Sequence, residues 1–392
     1  MDSRFDLNGA QRRPVIVLVY GQQLATGGVE THILSLVERG AATFQWVIVG
    51  SWTEAFGRAA SARGCQLISW RGPRWRGDLM AVRDLARELT RVRAEIVHLH
   101  GPWWGTVVGL AARRAKCPLV RTVHLPVWSL LRGGTVVRSV KLLGLRASRR
   151  WDFTLKDVRW IFVAESVQRR YQELGLVTSG ESVVIPNGVD TGRRLPAGVR
   201  CAMRRDLNLG EDDVAVVFVG RLDHQKGIDT LLDGLALAQG SLAGVRVVLV
   251  GDGPARGALQ FKAASLGLAG MVSFLGERSD VPAILGSGDL FVLPSRFEAL
   301  SLSLLEALAA GLPVIVSMVG DHPRLVDSLG AGLVVPVDDA PALGAALTAM
   351  ARDLEFRAEC GKRAATLGAP FSLDEFWRRH DDLYRTVGSR ES

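Results

Sequence analysis

Short apolar runs of strand length alternate with helix-patterned segments along nearly the whole chain, and this alternation narrows the choice of fold more than any other property. Val15–Tyr20 leads to a helix expected near Val29–Arg39; Gln45–Val49, Gln66–Ser69, Ile96–Leu99, Leu119–Val123, Trp160–Ala164 and Val183–Ile185 continue the strands of the first half. A second series opens at Val214–Val219 and runs through Val245–Val250, Val272–Phe274, Leu290–Leu293, Val314–Ser317 and Gly332–Val335, with helices between. Strands separated by helices of ten to fifteen residues predict parallel sheets covered on both faces. A length of 392 residues suits two such units. The turn-rich stretch Pro186-Asn-Gly-Val-Asp-Thr-Gly-Arg-Arg-Leu-Pro196 separates the series. The expected architecture is α/β, with Rossmann-like domains over 1–192 and 193–370 and a final helix within 371–392 crossing back to the first domain. In doubly wound sheets ligands sit at the carboxyl ends of strands, here at a cleft between the domains.

Charge is distributed unevenly. Residues 1–192 hold 27 Lys/Arg against 15 Asp/Glu, and the rest hold 21 against 25, so +12 and −4 give the net +8. Between Ile96 and Trp151 there are ten basic residues and no acidic one, and nine of the ten tryptophans lie in the first half. Cations interleaved with tryptophan fit anionic lipid headgroups or an anionic acceptor. Nucleic acid is not expected, because no recognition motif accompanies the charge. No apolar run approaches the ~20 residues of a spanning helix, so the expected location is cytoplasmic. The four cysteines are scattered, without disulfide or zinc-knuckle spacing.

Residues with chemical promise cluster in the second half. Glu298-Ala-Leu-Ser-Leu-Ser-Leu-Leu-Glu306 follows a strand. Were it all helical, its two glutamates would stand roughly 80° apart in azimuth. With Glu298 in a loop and the helix starting near Ser301, both carboxylates and the first-turn amides would address one space. Gly220-Arg221-Leu-Asp-His-Gln-Lys226-Gly227 would bring a planar cation and a point charge to one turn, as a diphosphate requires. Gly27-Gly28 opens a helix and permits close approach to a phosphate. His98 and His100 share one side of a strand, and His124 follows another. No further ligand or second shell is visible, so no metal site is expected. Neither a nucleophile elbow nor a Walker sequence is present.

Taken together these residues resemble the family-four retaining glycosyltransferases of GT-B fold. The matching stretches include Gly27-Gly28-Val29-Glu30, Ile96-Val-His-Leu-His-Gly101, Thr122-Val-His124, Ile185-Pro-Asn-Gly-Val-Asp190, Gly220-Arg221 with Lys226-Gly227, Val250-Gly-Asp-Gly-Pro254, Phe274-Leu-Gly276, Leu293-Pro-Ser295, Glu298 with Glu306, and Ala310-Gly-Leu-Pro-Val314. The resemblance implies transfer of a sugar from a UDP- or GDP-linked donor to an acceptor hydroxyl, with retention and without a metal or other cofactor. It implies that Arg221 and Lys226, beside Gly220, hold the diphosphate. Glu298 would hold sugar hydroxyls, and Glu306 the ribose. Amides of Ala299, Leu300, Ser301 and Leu302 would add donor contacts, with Gly276 and Arg278 against the base. Gly27 and Gly28 would border the diphosphate, and His124 the transferred sugar. One departure falls after the second series' fifth strand: Gly320-Asp-His-Pro-Arg324 carries arginine where the family usually has glutamate. The implied setting is bacterial envelope or exopolysaccharide assembly on a glycan or lipid-linked acceptor, peripheral to the inner face of the cytoplasmic membrane. The rival readings are a GT-B nucleotide-sugar epimerase and a non-catalytic nucleotide-sugar-binding protein.

Overall fold

The computed structural model describes residues 13–21, 27–75, 77–101, 104–125, 158–191 and 197–389. Among the described residues thirteen strands form two sheets, and the pairings between these strands are parallel. The first sheet contains β1 (Val15–Gly21), β2 (Gln45–Ser51), β3 (Gln66–Ser69), β4 (Ile96–His100), β5 (Leu119–Val123), β6 (Val158–Phe162) and β7 (Ser182–Val184), in the order β3-β2-β1-β4-β5-β6-β7. The second contains β8 (Val214–Val219), β9 (Val245–Val250), β10 (Val272–Gly276), β11 (Leu290–Leu293), β12 (Val314–Ser317) and β13 (Gly332–Val335), in the order β10-β9-β8-β11-β12-β13.

Contacts divide the chain into two units, one formed by Met1–Pro186 with Phe376–Ser392, the other by Asn187–Glu375. The closing helix Leu373–Gly388 therefore belongs, from Phe376 onward, with the first sheet. Its Phe376, Tyr384 and Val387 are buried beside Ile16, Leu18, Ile48 and Ile96. On the opposite face Val15, Val17, Val19, Val47, Val97 and Leu99 pack with residues of the helices Leu79–Arg91 and Gly105–Arg114. Alternate residues of one strand thus enter different cores, which is why these strands read as unbroken apolar runs.

Chain order reverses between β1 and β4 in the first sheet and between β8 and β11 in the second. At such a reversal the connections on either side turn away from each other and leave a crevice at the strand carboxyl ends. In the second unit that crevice is bounded by the loops after Val219 and after Leu293.

Among the described residues no helix is long and apolar enough to cross a membrane. Of the acid-free stretch, residues 126–151 lie outside the described residues.

Candidate active site

The loops after β8 and β11 are knitted together by side chain and backbone. Arg296 N–H donates to the Gln225 carbonyl at 2.7 Å, and Gln225 Nε2 donates to the Phe297 carbonyl at 3.0 Å. Lys226 Nζ donates to Glu298 Oε1 at 2.6 Å, with side-chain exposures of only 15% and 8%. The Arg296 guanidinium reaches both Asp229 oxygens, at 2.9 and 2.8 Å, and Asp338 at 2.7 Å. Gly227 makes the approach possible: its φ is +64°, and a Cβ there would stand 2.1 Å from the Pro294 carbonyl oxygen.

Glu298 lies in the loop and Ser301 is the N-cap of the helix Leu302–Ala309. Of the two arrangements that the sequence leaves open for the paired glutamates, the structure adopts the loop-then-helix one. Ser295 Oγ adds a 3.0 Å hydrogen bond to the same Glu298 oxygen that Lys226 holds. Burial alone would raise the Glu298 pKa. The charge of Lys226 and the hydrogen bonds from Lys226 and Ser295 outweigh it and hold the carboxyl below its usual range.

Behind this loop lies a segment whose role the sequence reading missed. Asp321 N–H donates to the Ala299 carbonyl at 2.9 Å, and Ser301 N–H donates to His322 Nε2 at 3.3 Å. Gly320, at φ +56°, lets its backbone pass where a Cβ would meet the Ala299 carbonyl oxygen at 2.2 Å. Asn187 Nδ2 donates to the Leu300 carbonyl at 2.9 Å from another side. The fully buried His322 is pushed down to about 4 by burial, against the pull of Glu298. It is therefore neutral near pH 7, and its accepting Nε2 fixes the proton on Nδ1. Motif spacing gave no sign of this clamp except the departure around Gly320.

Gly220 lies close to Lys226, with 3.3 Å from an ideal Cβ to Lys226 Cε, and Arg221 forms an ion pair with Asp223. Gly276, at φ +71°, accepts from Gly251 N–H at 2.8 Å. Arg278 is exposed and forms a two-point pair with Asp280 at 2.8 and 2.6 Å. Ala299, Leu300 and Ser301 are buried. Gly27 is the exposed N-cap of Gly28–Gly40 in the first unit. His124, also in that unit, stands 3.1 Å from His100 Nδ1 through its Nε2.

Glu306 differs from every other acid in this region. Among the described residues it has neither hydrogen-bond nor ion-pair partner, and burial raises its pKa to about 7. A carboxylate held this way, one turn inside a helix, is suited to accept paired hydroxyl groups from a ligand.

The sequence model of glycosyl transferases group 1 matches residues 199–367, and that of glycosyltransferase family 4 matches residues 26–193. A D-inositol 3-phosphate glycosyltransferase of Saccharomonospora viridis is 30% identical over 74% of this chain and 68% of its own length. The chain belongs to glycosyltransferase family 4. An Escherichia coli UDP-Gal:alpha-D-GlcNAc-diphosphoundecaprenol alpha-1,3-galactosyltransferase is 29% identical over 67% of each chain. Anabaena HepE, solved in complex with UDP and glucose, shares the fold with a TM-score of 0.81 over 95% of this chain and 100% of its own, at 19% identity. The GT-B fold implied by the sequence is thus present, and family membership gives no support to the epimerase or pure binding-protein readings.

The direction of the Glu306 shift makes a prediction about stability. A folded pKa above the unfolded value means that the protonated carboxyl favours the fold. That contribution is complete below about pH 4.5 and is lost as pH rises through about 7. Glu306→Gln, which cannot ionise, is expected to match the parent's stability at pH 4.5 and exceed it at pH 8.5 by on the order of 2 kcal/mol. Urea unfolding at both pH values measures it; a variant equally or less stable at pH 8.5 would refute the assignment.

Proposed function

We propose that this family-4 transferase moves a sugar, with retention, from a nucleoside-diphosphate sugar to a hydroxyl of a lipid-linked or envelope glycan acceptor. The observation that carries the reading is the joining of Lys226 and Glu298 at the carboxyl ends of β8 and β11, where the sheet order reverses. UDP is the favoured carrier, because HepE was solved with UDP and glucose and the Escherichia coli relative is named for UDP-Gal. GDP is the alternative.

In this reading Arg221 and Lys226 hold the diphosphate and offset the charge that builds on it as the glycosidic bond breaks, and amides of the 299–302 segment add donors. Glu298 accepts from sugar hydroxyls and Glu306 from the ribose. Gly27, Gly28 and Gly220 leave room for the diphosphate, Gly276 and Arg278 lie against the base, and His124 borders the transferred sugar. The acceptor oxygen bonds to the anomeric carbon on the face the diphosphate leaves. Its proton passes to a phosphate oxygen, so no protein nucleophile and no metal cofactor enter the scheme.

Arg221→Ala and Lys226→Ala are each expected to lower kcat/KM by about 10²-fold or more while the far-ultraviolet circular dichroism stays that of the parent. Turnover within a few-fold of the parent in either variant would remove the phosphate-holding role.

One surface of the first unit bears on the acceptor side. Trp75, Leu79 and Met80 are 65%, 71% and 77% exposed, and Arg71, Arg74, Arg83 and Arg87 are exposed on the same loop and helix. Exposed apolar side chains and arginines on one loop and helix match an anionic lipid surface, and peripheral attachment at the inner face of the cytoplasmic membrane follows from a lipid-linked acceptor. Sedimentation with phosphatidylglycerol vesicles at low ionic strength is expected to carry the protein down, with release on added salt. Trp75→Ala with Met80→Ser should leave most of it in solution. A parent protein that ignores the vesicles sinks the membrane reading.

A further inference from the structure

Five of the seven histidines belong to one cluster in the first unit: His32, His98, His100, His124 and His380. It lies at the other sheet-order reversal, with His98 and His100 on β4 and His32 on the helix Gly28–Gly40 that follows β1. We propose that His32, His100 and His124 form a binding site for a divalent transition-metal ion of the zinc class, and that an ion bound there takes His124 out of use for transfer.

One ring nitrogen from each of these three residues lies within 4.8 Å of those of the other two. His100 Nδ1 and His124 Nε2 are 3.1 Å apart. Tetrahedral zinc with nitrogens at 2.0–2.1 Å sets them about 3.4 Å from each other, so this pair already has the required bite. The third nitrogen of the group comes from His32. His98 is not a candidate. Its Nδ1 is bonded to the Tyr384 hydroxyl and its Nε2 to Thr122 Oγ1, both at 2.7 Å. That bonding fixes a ring which packs 4.1 Å, centroid to centroid, from His100.

His100 Nε2 is buried with no hydrogen-bond partner among the described residues. Its proton can therefore reside there, leaving Nδ1 as a lone pair for the ion. Burial holds His100 and His124 neutral, the state in which imidazole binds metals. His32 and His100 are buried while His124 is partly exposed, which supplies a route of entry. Three imidazoles without carboxylate select zinc, cobalt, nickel or copper over magnesium or calcium.

The binding part of the proposal stands on this geometry alone; the loss of transfer rests on the role proposed above for His124. Co²⁺ titrated into chelator-treated protein is expected to bind one equivalent at micromolar free metal with the visible spectrum of a tetrahedral site. Affinity should fall at least tenfold in both His32→Gln and His124→Asn, each checked for a parent-like melting transition. Zn²⁺ should inhibit transfer with the same midpoint as its binding, and EDTA should restore activity. No stoichiometric binding in the folded parent, or binding unchanged in both variants, overturns the site. Binding of one equivalent with full transferase activity overturns the sequestering of His124. A metal-free parent that transfers no sugar would count against the proposed function instead, while the Co²⁺ titration still decides the site.

Discussion

The buried ion pair between Lys226 and Glu298 is the contact on which the second unit's site depends. Such a pair adds little net stability, because removing two charges from water offsets most of their attraction. What it supplies is position. It fixes the loop after β8 against the loop after β11, and Gln225, Arg296 and Gly227 make the same connection through backbone. Removing either partner would leave a charge buried without compensation, so sequence freedom at both positions is small. The proposed diphosphate and sugar would each find their partner already oriented, one cation and one carboxylate side by side.

A second layer holds that pair. Gly320, Asp321 and His322 support the backbone of residues 298–301 from behind, and Asn187 holds it at Leu300. His322 can do this because its burial keeps it neutral; a charged imidazole could not accept the Ser301 amide. Glu306 lacks any such support among the described residues. The contrast between a paired, ionised Glu298 and an unpaired Glu306 with a pKa raised to about 7 separates two carboxylates whose sequence spacing made them look equivalent.

Strands were legible because both faces of each sheet are buried, which writes Val15–Gly21 or Val245–Val250 as uninterrupted apolar runs. The start of Leu302–Ala309 was legible from the serines before it. Several helices were not. Val281–Ser287, His322–Leu329 and Ala340–Arg352 carry proline in the first turn, where it reads as a breaker although the missing N–H costs nothing there. Ala197–Asp206 is hidden by arginines, one of which, Arg204, is buried against Asp289 at 2.9 Å and against backbone carbonyls. Arg221, Lys226 and Glu298 stand out as candidates from their motifs. The Lys226–Glu298 contact spans 72 positions, and no local pattern encodes it. His32 meets His380, and His322 meets Ser301, only through packing between distant elements, so their roles appear in the folded chain alone.

Calorimetric titration of UDP and of GDP into the parent and into Glu298→Gln decides whether Lys226 and Glu298 divide the donor between them. The account predicts that one nucleotide binds the parent at micromolar concentration. With Lys226 released from its carboxylate, that free nucleotide should bind Glu298→Gln at least as well, while the nucleotide-sugar, which needs the carboxylate, should bind it about tenfold or more weakly. No binding of either nucleotide to the folded parent, or nucleotide-sugar affinity unchanged by the substitution, would contradict it.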